Sequence, residues 1–241
     1  MNIILLHEND FLDSDTVILT DHRKDHIIDV LKAKKNDSLV CGLVNDNIGK
    51  GVISNIDSAG IELKVSLDLT PPPPLPLTLI LALPRPKMLK RIIESAATLG
   101  VKQIYLINSW RVEKSFWQSP VLNNNNLEKI LISGLEQAKD TVMPQIFIKK
   151  LFTPFVKNEL PEISKNSLCI TAHPKTNNPC PYSIDQQTSL AIGPEGGFID
   201  LEIETLEQAG FKTVSLGKRI LRTETAVPVI ISRLFSNYFN L

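Results

Sequence analysis

The chain has 241 residues, 43% of them hydrophobic, which is enough apolar material for one large domain or two modest ones. Its 26 Lys and Arg balance 26 Asp and Glu, so no global positive excess draws a polyanion, and no apolar run nears the ~20 residues of a membrane span. Three cysteines without a C-x-x-C pair and four scattered histidines argue against a disulfide framework, a structural zinc site or metal catalysis.

The amino terminus has no basic n-region and turns polar after Ile3-Ile4-Leu5-Leu6, so a cytoplasmic, membrane-free protein is expected. Short β-prone runs follow at residues 17–20, 38–44, 51–56 and 61–69. Polar turns containing Asn45-Asp46-Asn47 and Asp57-Ser58-Ala59-Gly60 divide them, and together they predict a small β-barrel. One helix is predicted over residues 25–33, with Ile27, Val30 and Leu31 along one side. This part is acidic: residues 1–70 hold 7 Lys and Arg against 12 Asp and Glu, whereas residues 71–241 hold 19 against 14. Attraction for a polyanion must come from the second part or from local patches.

The composition breaks at Thr70-Pro71-Pro72-Pro73-Pro74-Leu75-Pro76, where consecutive prolines fix φ, remove donors and favour an extended spacer. The expected layout is therefore a domain over 1–70, a linker over 71–76 and a second domain over 77–241. A proline-rich ligand for another protein is the rival reading, but such ligands usually lie in longer disordered tracts.

Beyond the break, strands predicted at 77–83, 103–107, 167–171, 189–192 and 213–216 alternate with helices at 87–99, 127–139, 201–209 and a last one to about 239. Leu89, Ile92, Ile93, Ala96 and Leu99 share one face of the first of these helices. Such alternation implies an α/β domain with a mostly parallel sheet. Asp200 is expected to cap the helix at 201–209, with Glu202 and Glu204 in its first turn. Pro228 is tolerable only in a first helical turn, so the last helix should start with Thr225 as its cap, leaving Arg222, Thr223 and Glu224 in a loop.

Two words stand out: Ile192-Gly193-Pro194-Glu195-Gly196-Gly197-Phe198 and Leu216-Gly217-Lys218-Arg219-Ile220-Leu221-Arg222-Thr223-Glu224-Thr225-Ala226. Each leaves a predicted strand. Gly193, Gly196, Gly197 and Gly217 let main chain approach a ligand and offer bare N–H and C=O groups. One Gly-rich turn alone is more often a connection than a site. The second loop changes that, because Arg219, Arg222 and Glu224 stand among hydroxyls in a span with no core-packing reason for so many charges.

These words, with Leu99-Gly100-Val101, Glu136-Gln137 ahead of Met143-Pro144, and Ala172-His173-Pro174, resemble the RsmE-type members of the SPOUT methyltransferases across most of residues 80–228. The resemblance implies a SPOUT α/β domain whose carboxy-terminal chain ties a trefoil knot, preceded by a PUA-like β-barrel that helps hold RNA. It implies S-adenosylmethionine as cofactor, N3 of a uridine in small-subunit (16S) ribosomal RNA as methyl acceptor, and a homodimer with the active site at the subunit interface.

Carried onto this chain, the expected cofactor contacts are His173, Pro174, Ile192, Gly193, Pro194, Glu195, Gly196, Gly197, Leu216, Gly217, Ile220, Leu221 and Arg222. Arg222 is the expected catalytic group, stabilising charge on a uridine carbonyl oxygen, with Glu195 or Glu224 accepting a proton or orienting the arginine. The structural alternatives are an ion pair for Arg222 and loop-holding backbone bonds for Glu195. Expected RNA contacts are Lys218, Arg219, Arg111, the cluster Arg85, Lys87, Lys90 and Arg91, and Lys32. The stretch from His26 to Lys32 resembles the family's H-x-x-x-V-L-R word with lysine in the arginine's place, which keeps the charge and loses the bidentate fork.

Three departures bear on the RNA target: Thr98 stands where relatives have Glu, Trp110 interrupts a Ser-Glu-Arg word, and Asp140 replaces an arginine near an expected RNA or dimer surface. Other readings are a SPOUT enzyme with another RNA target, or a non-catalytic RNA-binding or ribosome-assembly protein on the same fold. A nucleotide-dependent dehydrogenase is disfavoured, since no G-x-G-x-x-G follows the first strand of either part.

Overall fold

The computed structural model describes residues Asn2 to Phe239, which divide into two compact units: 1–73 with 132–143, and 74–131 with 144–241. The first unit contains β1 (Ile4–Leu6), β2 (Thr16–Leu19), α1 (His22–Asp25), β3 (Ser38–Leu43), β4 (Ile48–Ile56) and β5 (Ile61–Leu69). Its five strands form one sheet in the order β1-β3-β4-β5-β2, antiparallel except for the β1–β3 pair. Ile4, Val17, Cys41, Ile53 and Leu63, one from each strand, meet in a single buried cluster, so the sheet curls around its core as a half-barrel.

The β3–β4 hairpin turns at Asn45, which takes φ +63, an αL value that asparagine tolerates. β4 begins earlier than the sequence run at 51–56 indicated, because Gly49 belongs to it. A Cβ there would lie 1.8 Å from the Ser66 carbonyl oxygen, so only glycine lets the strands close. β1 was not anticipated; three residues are too few to display a period.

The predicted helix over 25–33 is corrected. α1 passes into a wide π-type turn at His26–Val30, which rotates the following side chains off the expected face. Ile27 enters the core, whereas Val30 is 65% and Leu31 41% exposed. Asp140 is also corrected: it is 3% exposed and accepts the Val142 N–H at 2.9 Å, a buried turn rather than a charge reversal on a surface.

The second unit carries a six-stranded, all-parallel sheet in the order β11-β9-β10-β6-β7-β8. In chain order these are β6 (Leu77–Ala82), α2 (Pro86–Thr98), β7 (Gln103–Ile107), α3 (Asn124–Ala138), β8 (Gln145–Lys149), the short helices α4 (Phe152–Pro154) and α5 (Leu160–Ile163), β9 (Leu168–Ala172) and β10 (Thr188–Ile192). They are followed by α6 (Asp200–Gln208), β11 (Lys212–Val214), α7 (Thr223–Leu234) and α8 (Ser236–Phe239). β6 and β10 are buried along their whole length, as continuous apolar runs in a covered parallel sheet should be. α2 buries Leu89, Ile92, Ile93 and Ala96, the face its sequence period marked. The carboxy-terminal part of α3, from Ile132, belongs to the first unit, where Leu135 packs with Ile3, Leu5 and Ile48.

Two helix starts differ from expectation. α6 is capped by Ile199, not Asp200: the Glu202 carboxylate reaches back to accept the Ile199 N–H at 3.0 Å, supplying the acceptor that a capping side chain would. α7 begins at Thr223 with Arg222 as its cap, the Arg222 carbonyl accepting N–H bonds from Thr225 (2.9 Å) and Ala226 (2.8 Å). Pro228 therefore lies inside the helix, and Thr223 and Glu224 are helical rather than in the loop. Burial of Thr223, Val227, Ile230 and Ile231 on one face offsets the missing proline donor.

Candidate active site

β11, β9 and β10 lie side by side, with Ala172 in register with both Ile192 and Val214, so three loops leave the sheet from level carboxyl ends. Between them opens a cavity of about 350 Å³. Carboxyl ends of parallel strands are where α/β sheets hold ligands. Ile192, Val214, Ala226 and Ile230 supply apolar lining, and the walls come from residues 173–175, 193–197, 215–217 and 219–221.

The first loop is held from three directions. The Gly197 N–H donates to the Pro194 carbonyl at 2.7 Å, closing a turn that puts Gly197 at φ +71. The Arg85 N–H, at the cap of α2, donates to Glu195 Oε1 at 2.9 Å. Arg111 Nη1 donates to the Gly196 carbonyl oxygen, and the Arg111 side chain lies against Gly196. A Cβ on Gly193 would sit 2.8 Å from the Phe198 nitrogen, so glycine is required where the loop doubles back.

The second loop is fixed at its start by Ser215, whose N–H donates to the Asn178 carbonyl (2.8 Å), whose carbonyl accepts the Cys180 N–H (2.9 Å) and whose Oγ accepts the Gly217 N–H (3.1 Å). Gly217 takes φ +118, open to glycine alone. On either side of it, among the described residues, no hydrogen bond engages the backbone of Leu216, Ile220 or Leu221. Burial, then the Lys175 charge, hold the His173 imidazole below its usual pKa, against the pull of Asp200 and Glu207.

All the cofactor positions expected from the sequence line this cavity except Arg222. Arg222 is exposed, between the lining residues Leu221 and Thr223, and among the described residues no ion pair joins it to Glu195 or Glu224. Glu224 is half-buried one position beyond Thr223, outside the lining face of α7. Arg219, expected at RNA, lines the cavity beside the exposed Lys218. Arg85, Lys87, Lys90 and Arg91 are exposed around the start of α2, and Lys32 is exposed in the other unit at φ +52. Sequence reasoning missed Ala172, Lys175, Cys180, Val214, Ser215, Thr223, Ala226 and Ile230 in the lining. Their signal was positional: Ala172 and Val214 end their strands, and Thr223, Ala226 and Ile230 follow helical spacing.

Residues 71–235 match the family model of the RNA methyltransferase domain. The chain belongs to this family. Among relatives of this methyltransferase, the ribosomal RNA small subunit methyltransferase E of Mesomycoplasma hyopneumoniae is 30% identical over 219 residues, 90% of this chain and 92% of the relative. The ribosomal RNA small subunit methyltransferase E 1 of Borreliella burgdorferi is 29% identical over 228 residues, 94% of each chain. A crystal structure of ribosomal RNA small subunit methyltransferase E from Neisseria gonorrhoeae, bound to S-adenosyl methionine, matches with a TM-score of 0.74 at 22% identity, covering 96% of this chain and 95% of that one. A putative methyltransferase of Legionella pneumophila in complex with the same cofactor gives 0.75 at 23% over 96% and 95%. These likenesses establish the fold of the methyltransferase: an α/β domain on a parallel sheet with an amino-terminal β unit.

Among the described residues the methyltransferase has no group of three or more His, Cys, Asp or Glu placed to hold a metal, and no helix long and apolar enough to cross a membrane.

Proposed function

We propose that the chain transfers the methyl group of S-adenosylmethionine to N3 of a uridine in small-subunit ribosomal RNA. One observation carries this reading: both Gly-containing words line a single cavity with an apolar floor, and among the described residues the backbone of Leu216, Ile220 and Leu221 in its wall makes no hydrogen bond. A nucleoside needs that combination, with apolar surface for its ring and main-chain donors and acceptors for its polar edge. Ile192, Leu216, Ile220 and Leu221 would hold the cofactor, Gly193 and Gly217 giving the room. When bound, the cofactor supplies a sulfonium methyl for in-line displacement.

The remaining work falls to the chain's own groups. Uridine N3 carries its proton at neutral pH, so turnover requires that proton to leave while charge gathers on the neighbouring carbonyl oxygens. Arg222 is exposed between the lining residues Leu221 and Thr223, without an ion pair among the described residues, and would stabilise that charge. Glu195 is committed through Oε1 to the Arg85 N–H, which favours a loop-positioning part for it and leaves Glu224 as the better proton acceptor or partner of Arg222. Lys218, Arg219 and the α2 cluster would meet phosphates, and Lys32 would do so from the β unit.

With this reading go an RNA-holding domain over 1–70, a linker over 71–76, a catalytic domain over 77–241 with its loops crossed as a trefoil knot, a homodimer, and a cytoplasmic location with the ribosome. The test is transfer of label from S-adenosylmethionine to purified small ribosomal subunits lacking uridine N3 methylation, wild type beside Arg222→Ala, followed by nucleoside analysis. Label in 3-methyluridine that the variant fails to make is the expected result. Cofactor binding without transfer would point to another RNA target or to a non-catalytic RNA-binding protein.

A further inference from the structure

Trp110 is 80% exposed, the second most exposed large hydrophobic side chain among those described. Its neighbours are not loose. The Val112 N–H donates to the Ser109 carbonyl at 3.0 Å, closing a tight turn that puts Trp110 and Arg111 at its two corners. The Trp110 N–H donates to Glu202 Oε1 at 2.7 Å, and that carboxylate is 6% exposed and also accepts the Ile199 N–H, so a buried group pins the turn to the start of α6. Trp117 Nε1 donates to Asn108 Oδ1 at 3.0 Å, holding the residue before the turn. Arg111 contacts Gly196 in the cavity wall. The turn thus presents an indole to solvent one residue from the pocket loop, with Arg111 beside it and Arg85 bonded to the same loop.

An indole held on a rigid turn offers a flat, amphipathic face in a fixed place, ready for a partner to stack on. Cations alternating with an aromatic face match single-stranded nucleic acid, whose bases stack on the ring while phosphates meet the charges. We propose that Trp110 stacks against an unpaired base of the RNA substrate at the entrance to the site, and so helps select which nucleotide enters. The proposal rests on the reading of the substrate as RNA.

Two measurements test it. In steady-state methylation of small subunits, Trp110→Ala is expected to raise KM for RNA about 5- to 150-fold with kcat and cofactor affinity little changed, and Trp110→Phe to recover part of the loss. Titrating wild type with a single-stranded oligonucleotide carrying the methylated sequence should quench tryptophan fluorescence. In Trp110→Phe, which keeps Trp117, that quenching should vanish. An unchanged KM with active enzyme would overturn the stacking role while leaving RNA methylation standing. Loss of self-association by Trp110→Ala, seen by sedimentation, would overturn it in favour of a protein interface. Absence of methylation by wild type on every RNA offered would sink both the stacking role and the reading beneath it.

Discussion

Glu195 and Arg85 lie 110 positions apart in the chain and share one hydrogen bond, from the Arg85 N–H to Glu195 Oε1 at 2.9 Å. The bond does two jobs. It supplies an acceptor at the cap of α2, where helix N–H groups lack partners, and it places a negative charge at the positive end of the helix dipole. In doing so it fixes the turn that walls the cavity.

Replacing Glu195 separates positioning from proton transfer. Glu195→Ala should weaken cofactor binding by about five- to tenfold, the size of one exposed charge-assisted hydrogen bond. Glu195→Gln keeps an acceptor oxygen and should bind and turn over nearly as wild type. Calorimetric titration with S-adenosylmethionine beside single-turnover rates checks both. A glutamine variant that binds normally yet is as slow as alanine would make Glu195 the proton acceptor instead.

Gly193→Ala and Gly196→Ala should differ sharply although the two positions are three apart. A Cβ on Gly193 meets backbone, the Phe198 nitrogen at 2.8 Å and the Gly197 Cα at 3.0 Å, so the loop itself must move. A Cβ on Gly196 meets only the Arg111 side chain, its Cδ at 2.8 Å, which can swing away. Cofactor affinity is expected to fall at least tenfold for Gly193→Ala, a loss of about 1.4 kcal/mol or more, and only a few-fold for Gly196→Ala. Equal losses would mean that the loop is less tightly folded than its contacts require.

Arg222 caps α7 through its backbone while its side chain stands exposed. Removing that side chain should therefore leave thermal stability unchanged and act on the chemistry alone. Arg222→Ala is expected to lower kcat by roughly 100- to 1,000-fold, as loss of a donor to developing charge does, with cofactor affinity within a few-fold of wild type. Arg222→Lys should recover little, since the planar fork is lost. A large fall in the unfolding midpoint would recast Arg222 as structural.

The parallel sheet was legible because buried strands such as 77–82 and 189–192 are continuous apolar runs and α2 carries a clean period. The two Gly-containing words were legible as words because they follow strand-like runs, and both line the cavity. What escaped was whatever depended on distant partners. Nothing local tells that Glu202 will also reach across to Trp110, a bond that spans 92 positions, while its turn back onto Ile199, three positions away, displaced Asp200 as the cap of α6. Pro228 misplaced the start of α7 because its rule is local, while the burial that overrides it is tertiary. Asp140 looked like a surface charge for the same reason.

Glu136 makes the first unit sensitive to pH in a direction opposite to most carboxylates. It lies in the part of α3 that packs with that unit and is 9% exposed; burial pushes its pKa from 4.5 to about 7, against the pull of nearby positive charge, that of Arg23 included. Because the folded value lies above the unfolded one, the folded state holds the proton more tightly. Stability from this group is complete below the unfolded pKa of 4.5 and drains away as pH rises through about 7. Glu136→Gln fixes the uncharged form and removes that slope. Urea midpoints of the two proteins should lie close together at about pH 5 and separate as pH rises to about 8, with the glutamine variant the more stable. Comparing the pair cancels every other titrating group. Parallel curves across that range would mean that the folded protein carries Glu136 ionised, and that its burial is relieved by opening of the α3 segment.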